Sequence, residues 1–400
     1  MGNFKEKKMY KIQTLNKISA IGLEDFPRDD YETASSLNNP DAILVRSADM
    51  HKMELSGTVK AIARAGAGVN NIPVEEFTKK GIVVFNTPGA NANAVKELVL
   101  ASLFISSRPV FSASEWVKTL AGQGERIPEL AEKEKGKFVG PELKGKKLGV
   151  IGLGAIGALV ANAAVQLGME VIGYDPFMSI AAAWRLDNKV KYAETLDTLL
   201  SKSDYITIHV PQTEDTKGLI NEKTLKNMKD GVVIVNLARG GLVNNGDILR
   251  ALDYGKVKCL VTDFACEEFI GKKNVICFPH LGASTPEAED NCAKMAVAEL
   301  REFLEKGNIT NSVNFPKCTT ENPVPKGGTR ICISHENTSG IIAKFTTVLG
   351  NAKLNIAGMT NQNRGNIAYN IIDVDGRVDE ETLRALAGIE TVMKVRPIFG

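Results

Sequence analysis

Histidine is scarce: four in 400 residues, none forming an i, i+4 pair with another, so a structural metal site is not expected. The six cysteines contain no C-x-x-C pair, and several lie inside apolar strands, where a free thiol acts as a small hydrophobe. A disulfide framework is excluded on that ground. Excess charge is also missing, since 49 Lys and Arg stand against 47 Asp and Glu, a net of +2. That balance gives no electrostatic case for a nucleic-acid partner. No apolar run approaches the length of a membrane span, and no signal-peptide core is present. The opening Met1-Gly2-Asn3-Phe4-Lys5-Glu6 is similar to an acylation start but has Glu6 where Ser or Thr is required. The expectation is a cytoplasmic chain of two or three domains, an α/β protein rich in small aliphatic residues.

What is present centres on residues 147–175. An apolar strand, Lys147 to Ile151, runs into Gly152-x-Gly154-x-x-Gly157, a helical run follows, and a second strand ends in Asp175, eighteen residues past Gly157. Gly152 permits a tight turn, Gly154 lets backbone approach a pyrophosphate, and Gly157 lets helix and strand pack closely. The N-terminus of the helical run, Ala158 to Leu167, offers free N–H groups to phosphates. Asp175 suits the ribose hydroxyls and would repel a 2′-phosphate; Pro176-Phe177 supply no arginine to offset that. NAD is therefore expected over NADP.

Upstream, strand-like runs separated by helical ones indicate a βα repeat and a mostly parallel sheet. Their ends carry Arg46-Ser47 and Arg64-Ala65-Gly66, candidates for an anionic substrate, with solvated strand-end arginines as the alternative. Residues 133–147 are rich in lysine and read as a solvated face. Downstream, the α/β rhythm continues through Val232 to Leu237, Leu260 to Asp263 and Val275 to Phe278. Arg239, Glu268 and His280 stand at or beyond these strand ends. Oxidation of a hydroxy acid needs a base, a cation for the carboxylate and a hydride acceptor. His280 suits the base, Glu268 could orient its imidazole, and Arg239 offers a bidentate fork. Each alone also fits a structural part: a core histidine, a surface acid, a salt-bridge partner.

The runs Arg64 to Asn71, Gly152 to Gly157, His209-Val210-Pro211, Asn236 to Gly241 and Pro279 to Thr285 together resemble the D-isomer-specific 2-hydroxyacid dehydrogenases. That resemblance implies that Arg239 holds the substrate carboxylate and that Glu268 and His280 form the catalytic pair. It also implies NAD contacts from Ala155, Ile156, Asp175, Ala238, Asp263 and Gly282, beside the three glycines. Phe269 stands where the family usually has proline. Beyond a Pro- and Gly-rich stretch, the order βαββαβ resembles an ACT regulatory domain, which would make His335, Asn337 and Asn355 contacts for an L-serine effector. The implied architecture is a Rossmann-type doubly wound domain (97–282) inserted in a flavodoxin-like substrate domain (8–96 and 283–310). A linker (311–328) and a ferredoxin-like ACT domain (329–400) would follow. The implied reaction is NAD-dependent oxidation of 3-phospho-D-glycerate to 3-phosphooxypyruvate, the first step of L-serine biosynthesis, by a homodimer or homotetramer. A relative acting on 2-oxoglutarate or another hydroxy acid, and a non-enzymatic NAD-sensing corepressor, are the rival readings.

Overall fold

The computed structural model describes residues 9–400, so the acylation-like start lies outside the described residues. Two compact units emerge: Met1–Asn91 with Pro286–Gly400, and Ala92–Thr285.

In the first unit, β1 (Tyr10–Leu15), β2 (Tyr31–Ala34), β3 (Ala42–Val45), β4 (Ala61–Arg64) and β5 (Val83–Asn86) form a parallel sheet in the order β2-β1-β3-β4-β5. All four residues of β3 are buried, the uninterrupted apolar signature of a parallel strand covered on both faces. The helix Pro286–Lys306 packs on this sheet through Ala293, Ala296, Val297 and Leu300.

The second unit holds β6 (Lys147–Ile151), β7 (Glu170–Tyr174), β8 (Lys191–Tyr192), β9 (Tyr205–Ile208), β10 (Val232–Asn236), β11 (Val257–Thr262) and β12 (Val275–Cys277). Their order, β12-β11-β10-β9-β6-β7-β8, is all parallel and reverses direction between β6 and β9. Ligands in doubly wound sheets bind at such a switch point, beyond the carboxyl ends of the strands. The glycine turn leaves β6 there.

The terminal strands β13 (Thr329–Glu336), β14 (Asn355–Arg364), β15 (Ile367–Asp375) and β16 (Val392–Phe399) form an antiparallel sheet, β14-β15-β13-β16, with two helices in the order βαββαβ. Ile331, Ile333, Ile372 and Val374 face those helices through Phe345, Leu349 and Leu386. On the opposite face Cys332, Tyr369 and Ile371 pack with Phe85, Phe303 and Phe315.

The sequence sets the tail apart behind a linker, and this second contact ties the terminal sheet to the rest of the first unit. The helix Pro286–Lys306 ends in carbonyls that need partners, and the terminal sheet supplies them. Arg396 donates to Phe303 and Leu304 (2.7 and 3.0 Å), Arg330 to Lys306 (3.0 Å), and the Tyr369 hydroxyl to Gly307 (2.9 Å). The segment expected as a linker is fixed too: Phe315 is buried, and Asn314 Oδ1 accepts from the Val84 amide at 2.9 Å.

One group in the helix Pro286–Lys306 has a measurable cost. Glu299 is 4% exposed; one oxygen accepts from Asn311 (2.7 Å) and the other has no partner among the described residues. Burial pushes its carboxyl up to about 8 from 4.5. Between those values the folded chain keeps a proton that the unfolded chain has lost, so stability falls as pH rises through the window. Glu299→Gln is expected to flatten that fall and raise the unfolding temperature at pH 8 more than at pH 5. Thermal melts across pH check this, and identical pH dependence in both proteins would contradict it.

Candidate active site

The glycine turn is built as its three positions require. Gly152 has φ +88°, and a Cβ there would lie 2.7 Å from the His209 carbonyl oxygen. A Cβ on Gly157 would collide with the Gly152 carbonyl. Gly154, immediately before the helix Ala155–Gln166, differs: a Cβ there would meet no protein atom. Packing within the protein does not demand that glycine, whereas a pyrophosphate at the helix start does. Asp175 accepts from the amides of Leu153 and Phe177, both at 2.9 Å, and so ties the turn to the end of β7.

Asp263, one residue past β11, is 1% exposed. Its Oδ2 accepts from the Gly282 amide at 2.9 Å, while Oδ1 is buried with no partner among the described residues. A buried carboxylate oxygen left unpaired is costly, and the amide of a bound nicotinamide would satisfy it. The unpaired oxygen and the open Gly154 position both fit NAD.

Past β10, Asn236 organises the turn that presents Arg239, a role the sequence reading missed. It is 1% exposed, accepts from the Ala238 amide (3.2 Å) and donates to the Arg239 carbonyl (2.9 Å). Its position at a strand end just before Arg239 was the available signal. Arg239 itself donates to the Ala238 carbonyl at 2.7 Å.

Of the four histidines, three are committed elsewhere. His209 is held neutral by burial, which drops it to about 3, and it contacts the Thr207 hydroxyl at 2.9 Å. His51 pairs with Asp49. His335 is discussed below. His280 is exposed beyond β12, its ring 5.2 Å from that of Phe264.

The expected Glu268–His280 contact is not formed: no hydrogen bond or ion pair joins them among the described residues. Glu268 instead accepts from Asn245 Nδ2 at 3.2 Å. The Cys266 thiol, its own amide and Asn245 hold its carboxyl below the usual range. Burial pushes the Cys266 thiol up. Phe269, where a proline was expected, is 5% exposed and anchors this loop in the core. A cavity of about 570 Å³ lies under the loop, lined by Asn245, Cys266 and Phe269 among others, and none of Arg239, Glu268 and His280 lines it.

The substrate-side candidates lie in the first unit. Arg46 Nη2 meets Glu289 Oε1 at 2.6 Å, and the Ser47 amide donates to Asn16 at 3.2 Å. Arg64 Nε donates to the Arg46 carbonyl at 3.1 Å, with its guanidinium folded against Gly66.

The effector candidates do not converge within one chain. His335 is fully buried: its Nδ1–H donates to the Glu336 carbonyl (2.7 Å), its Nε2 accepts from Asn370 (2.8 Å), and burial lowers its pKa. The register places Glu336 opposite Ile367 and Asn355 opposite Asp375, at the two ends of β15. At about 3.4 Å per residue, the levels of Glu336 and Asn355 are roughly 27 Å apart along the strand, and Asn337 lies one residue further. Asn355 bonds Asp375 at 2.7 Å, and Asn337 reaches the Gly365 carbonyl at 3.5 Å. A site using both would draw on two copies.

Residues 100–282 match the family described as D-isomer specific 2-hydroxyacid dehydrogenase, NAD binding domain. Over those residues the chain is similar to the NAD-binding domain of the D-isomer-specific 2-hydroxyacid dehydrogenases. Among particular relatives, a D-3-phosphoglycerate dehydrogenase of Archaeoglobus fulgidus is 37% identical over 286 residues, 69% of this chain and 52% of that protein. One of Bacillus subtilis is 33% identical over 331 residues, 78% and 60% respectively. The chain thus spans little more than half the length of these curated relatives. The cofactor(NAD+)-bound 3-phosphoglycerate dehydrogenase of Entamoeba histolytica superposes with a TM-score of 0.60 at 25% identity, covering 76% of this chain and 99% of that one. Among the described residues no helix is long and apolar enough to cross a membrane, and no cluster of His, Cys, Asp and Glu could hold a metal ion.

Proposed function

We propose that the chain oxidises 3-phospho-D-glycerate to 3-phosphooxypyruvate with NAD. One observation carries the reading. Arg239, Asp263 and His280 follow β10, β11 and β12, three adjacent parallel strands, on the carboxyl side where the glycine turn also emerges. Gly152, Gly154, Gly157 and the helix start at Ala155 and Ile156 would hold the pyrophosphate, Asp175 the ribose, and Ala238, Asp263 and Gly282 the nicotinamide end. Bound NAD supplies the acceptor for the hydride leaving C2.

The chain's own groups do the rest. Arg239 fixes the substrate carboxylate and polarises C2, and His280 takes the C2 hydroxyl proton as the carbonyl forms. Glu268, kept ionised by its donors, stabilises the imidazolium through the field it sets up. Arg46, Ser47, Arg64 and Gly66 are assigned to the phosphate end. Relatives named D-3-phosphoglycerate dehydrogenase support this substrate over other hydroxy acids.

The test is NADH formation from 3-phospho-D-glycerate, D-glycerate and 2-hydroxyglutarate in parallel, with and without L-serine. Turnover of phosphoglycerate above the others supports the reading, and none on phosphoglycerate rejects it. For the cofactor, Asp175→Ala removes a carboxylate facing the ribose and its ties to the turn. The expected outcome is a rise of about tenfold or more in kcat/KM with NADP relative to NAD. An unchanged ratio would contradict the assignment.

L-serine as an effector rests on the ACT-like βαββαβ order of the terminal domain. Exposed Phe104, Val110, Phe111 and Val117 in the second unit support a homodimer, and a homotetramer if the terminal domains pair as well. Six unpaired cysteines support a reducing, cytoplasmic setting.

A further inference from the structure

We infer that Glu289 is a specificity-determining residue that sets the charge the site accepts at the far end of its substrate. The inference rests on the proposed reading of Arg46 as a phosphate ligand. Arg46 leaves β3 and its Nη2 meets Glu289 Oε1 at 2.6 Å, with side-chain exposures of 39% and 41%. A pair this exposed contributes little to folding, so packing does not account for it. Glu289 sits in the first turn of the helix Pro286–Lys306, where the helix dipole favours an acid. The neighbouring Arg64 is tied to the same loop, its Nε donating to the Arg46 carbonyl at 3.1 Å.

A substrate phosphate reaching Arg46 meets a guanidinium that already carries a carboxylate on Nη2, and sits within a few ångströms of that negative charge. A hydroxyl or a singly charged group meets a smaller penalty. Like charges at that range act against binding and not against the chemical step. Glu289 thus discriminates through KM: it weakens the grip on a doubly charged end group and leaves room for uncharged hydroxy acids. The arrangement is a charge gate on one residue of the helix.

The test uses the 400-residue chain and two variants, Glu289→Gln and Glu289→Ala. Steady-state kcat and KM are measured for 3-phospho-D-glycerate and D-glycerate, together with direct binding of inorganic phosphate by calorimetry. The expected result in both variants is a rise of about tenfold in the phosphoglycerate-to-glycerate ratio of kcat/KM, carried by KM, with tighter phosphate binding. A purely structural role would lower both substrates alike and leave phosphate binding where it was. Unchanged ratio and phosphate affinity in both variants would overturn the inference. If the parent chain turns over no phosphoglycerate, the functional reading fails separately, and phosphate affinity alone still decides the role of Glu289.

Discussion

Replacing His280 with alanine is expected to lower kcat by about 10²–10⁴-fold while the protein stays folded, because losing a positioned general base removes about that much of the acceleration. The fold should survive because the ring is exposed and its described contact is with Phe264. The histidine inventory makes this substitution decisive. Desolvation lowers the pKa of the half-buried His209 to about 3, and His335 spends both nitrogens on the protein. Steady-state turnover beside a thermal melt checks the prediction. Near-full activity in a folded variant would remove the acid–base assignment. Glu268→Gln should cost less, since no described contact joins it to His280.

Asp373→Ala is expected to have the largest effect on stability, about 3–5 kcal/mol, the usual cost of leaving a buried charge without its partner. Arg330 is 0% exposed and donates Nε and Nη2 to the two oxygens of Asp373 at 2.7 and 2.8 Å. The same guanidinium reaches the carbonyls of Lys306, Asn322 and Pro323, so it joins the terminal sheet to the helix and segment before it. Replacing both members, Arg330→Met with Asp373→Leu, removes the stranded charge and should cost less than the single change. Denaturant titrations of the two variants decide. A double variant no more stable than the single would show that the ion pair is not the element that matters.

The parts of the fold that were legible in the sequence are those written as local patterns. Glycine spacing followed by a distant acid placed the turn at Gly152 and its partner at Asp175. The uninterrupted apolar runs at Ala42–Val45 and 232–235 announced parallel strands covered on both faces. The strands β2 and β8 were not anticipated, because a four-residue edge and a two-residue exposed one carry no usable period. Docking of the terminal sheet was equally invisible. Arg330, Cys332, Tyr369 and Arg396 alternate along their strands like ordinary surface residues, and their partners are helix-end carbonyls that no sequence pattern reports.

The candidate site shows the same division. Residue types at or beyond strand ends singled out Arg239, Glu268 and His280, since position after a strand follows from local pattern, while Asp263 is implied by the family resemblance alone. The partners of Glu268 did not follow, because Asn245 belongs to a helix distant in sequence and Phe269 turns inward only when the surrounding core is known. The ACT resemblance implies His335 as an effector contact. A T-shaped contact with Phe345 and a bond from Asn370 place it in the core instead.

The central claim is that hydrogen leaves C2 of phosphoglycerate directly for the nicotinamide while His280 takes only the hydroxyl proton. Oxidation of 3-phospho-D-glycerate carrying deuterium at C2, followed by mass analysis of the reduced cofactor, tests it. The account predicts one deuterium in each NADH formed and none in the solvent. Unlabelled NADH with the label released to water would contradict it.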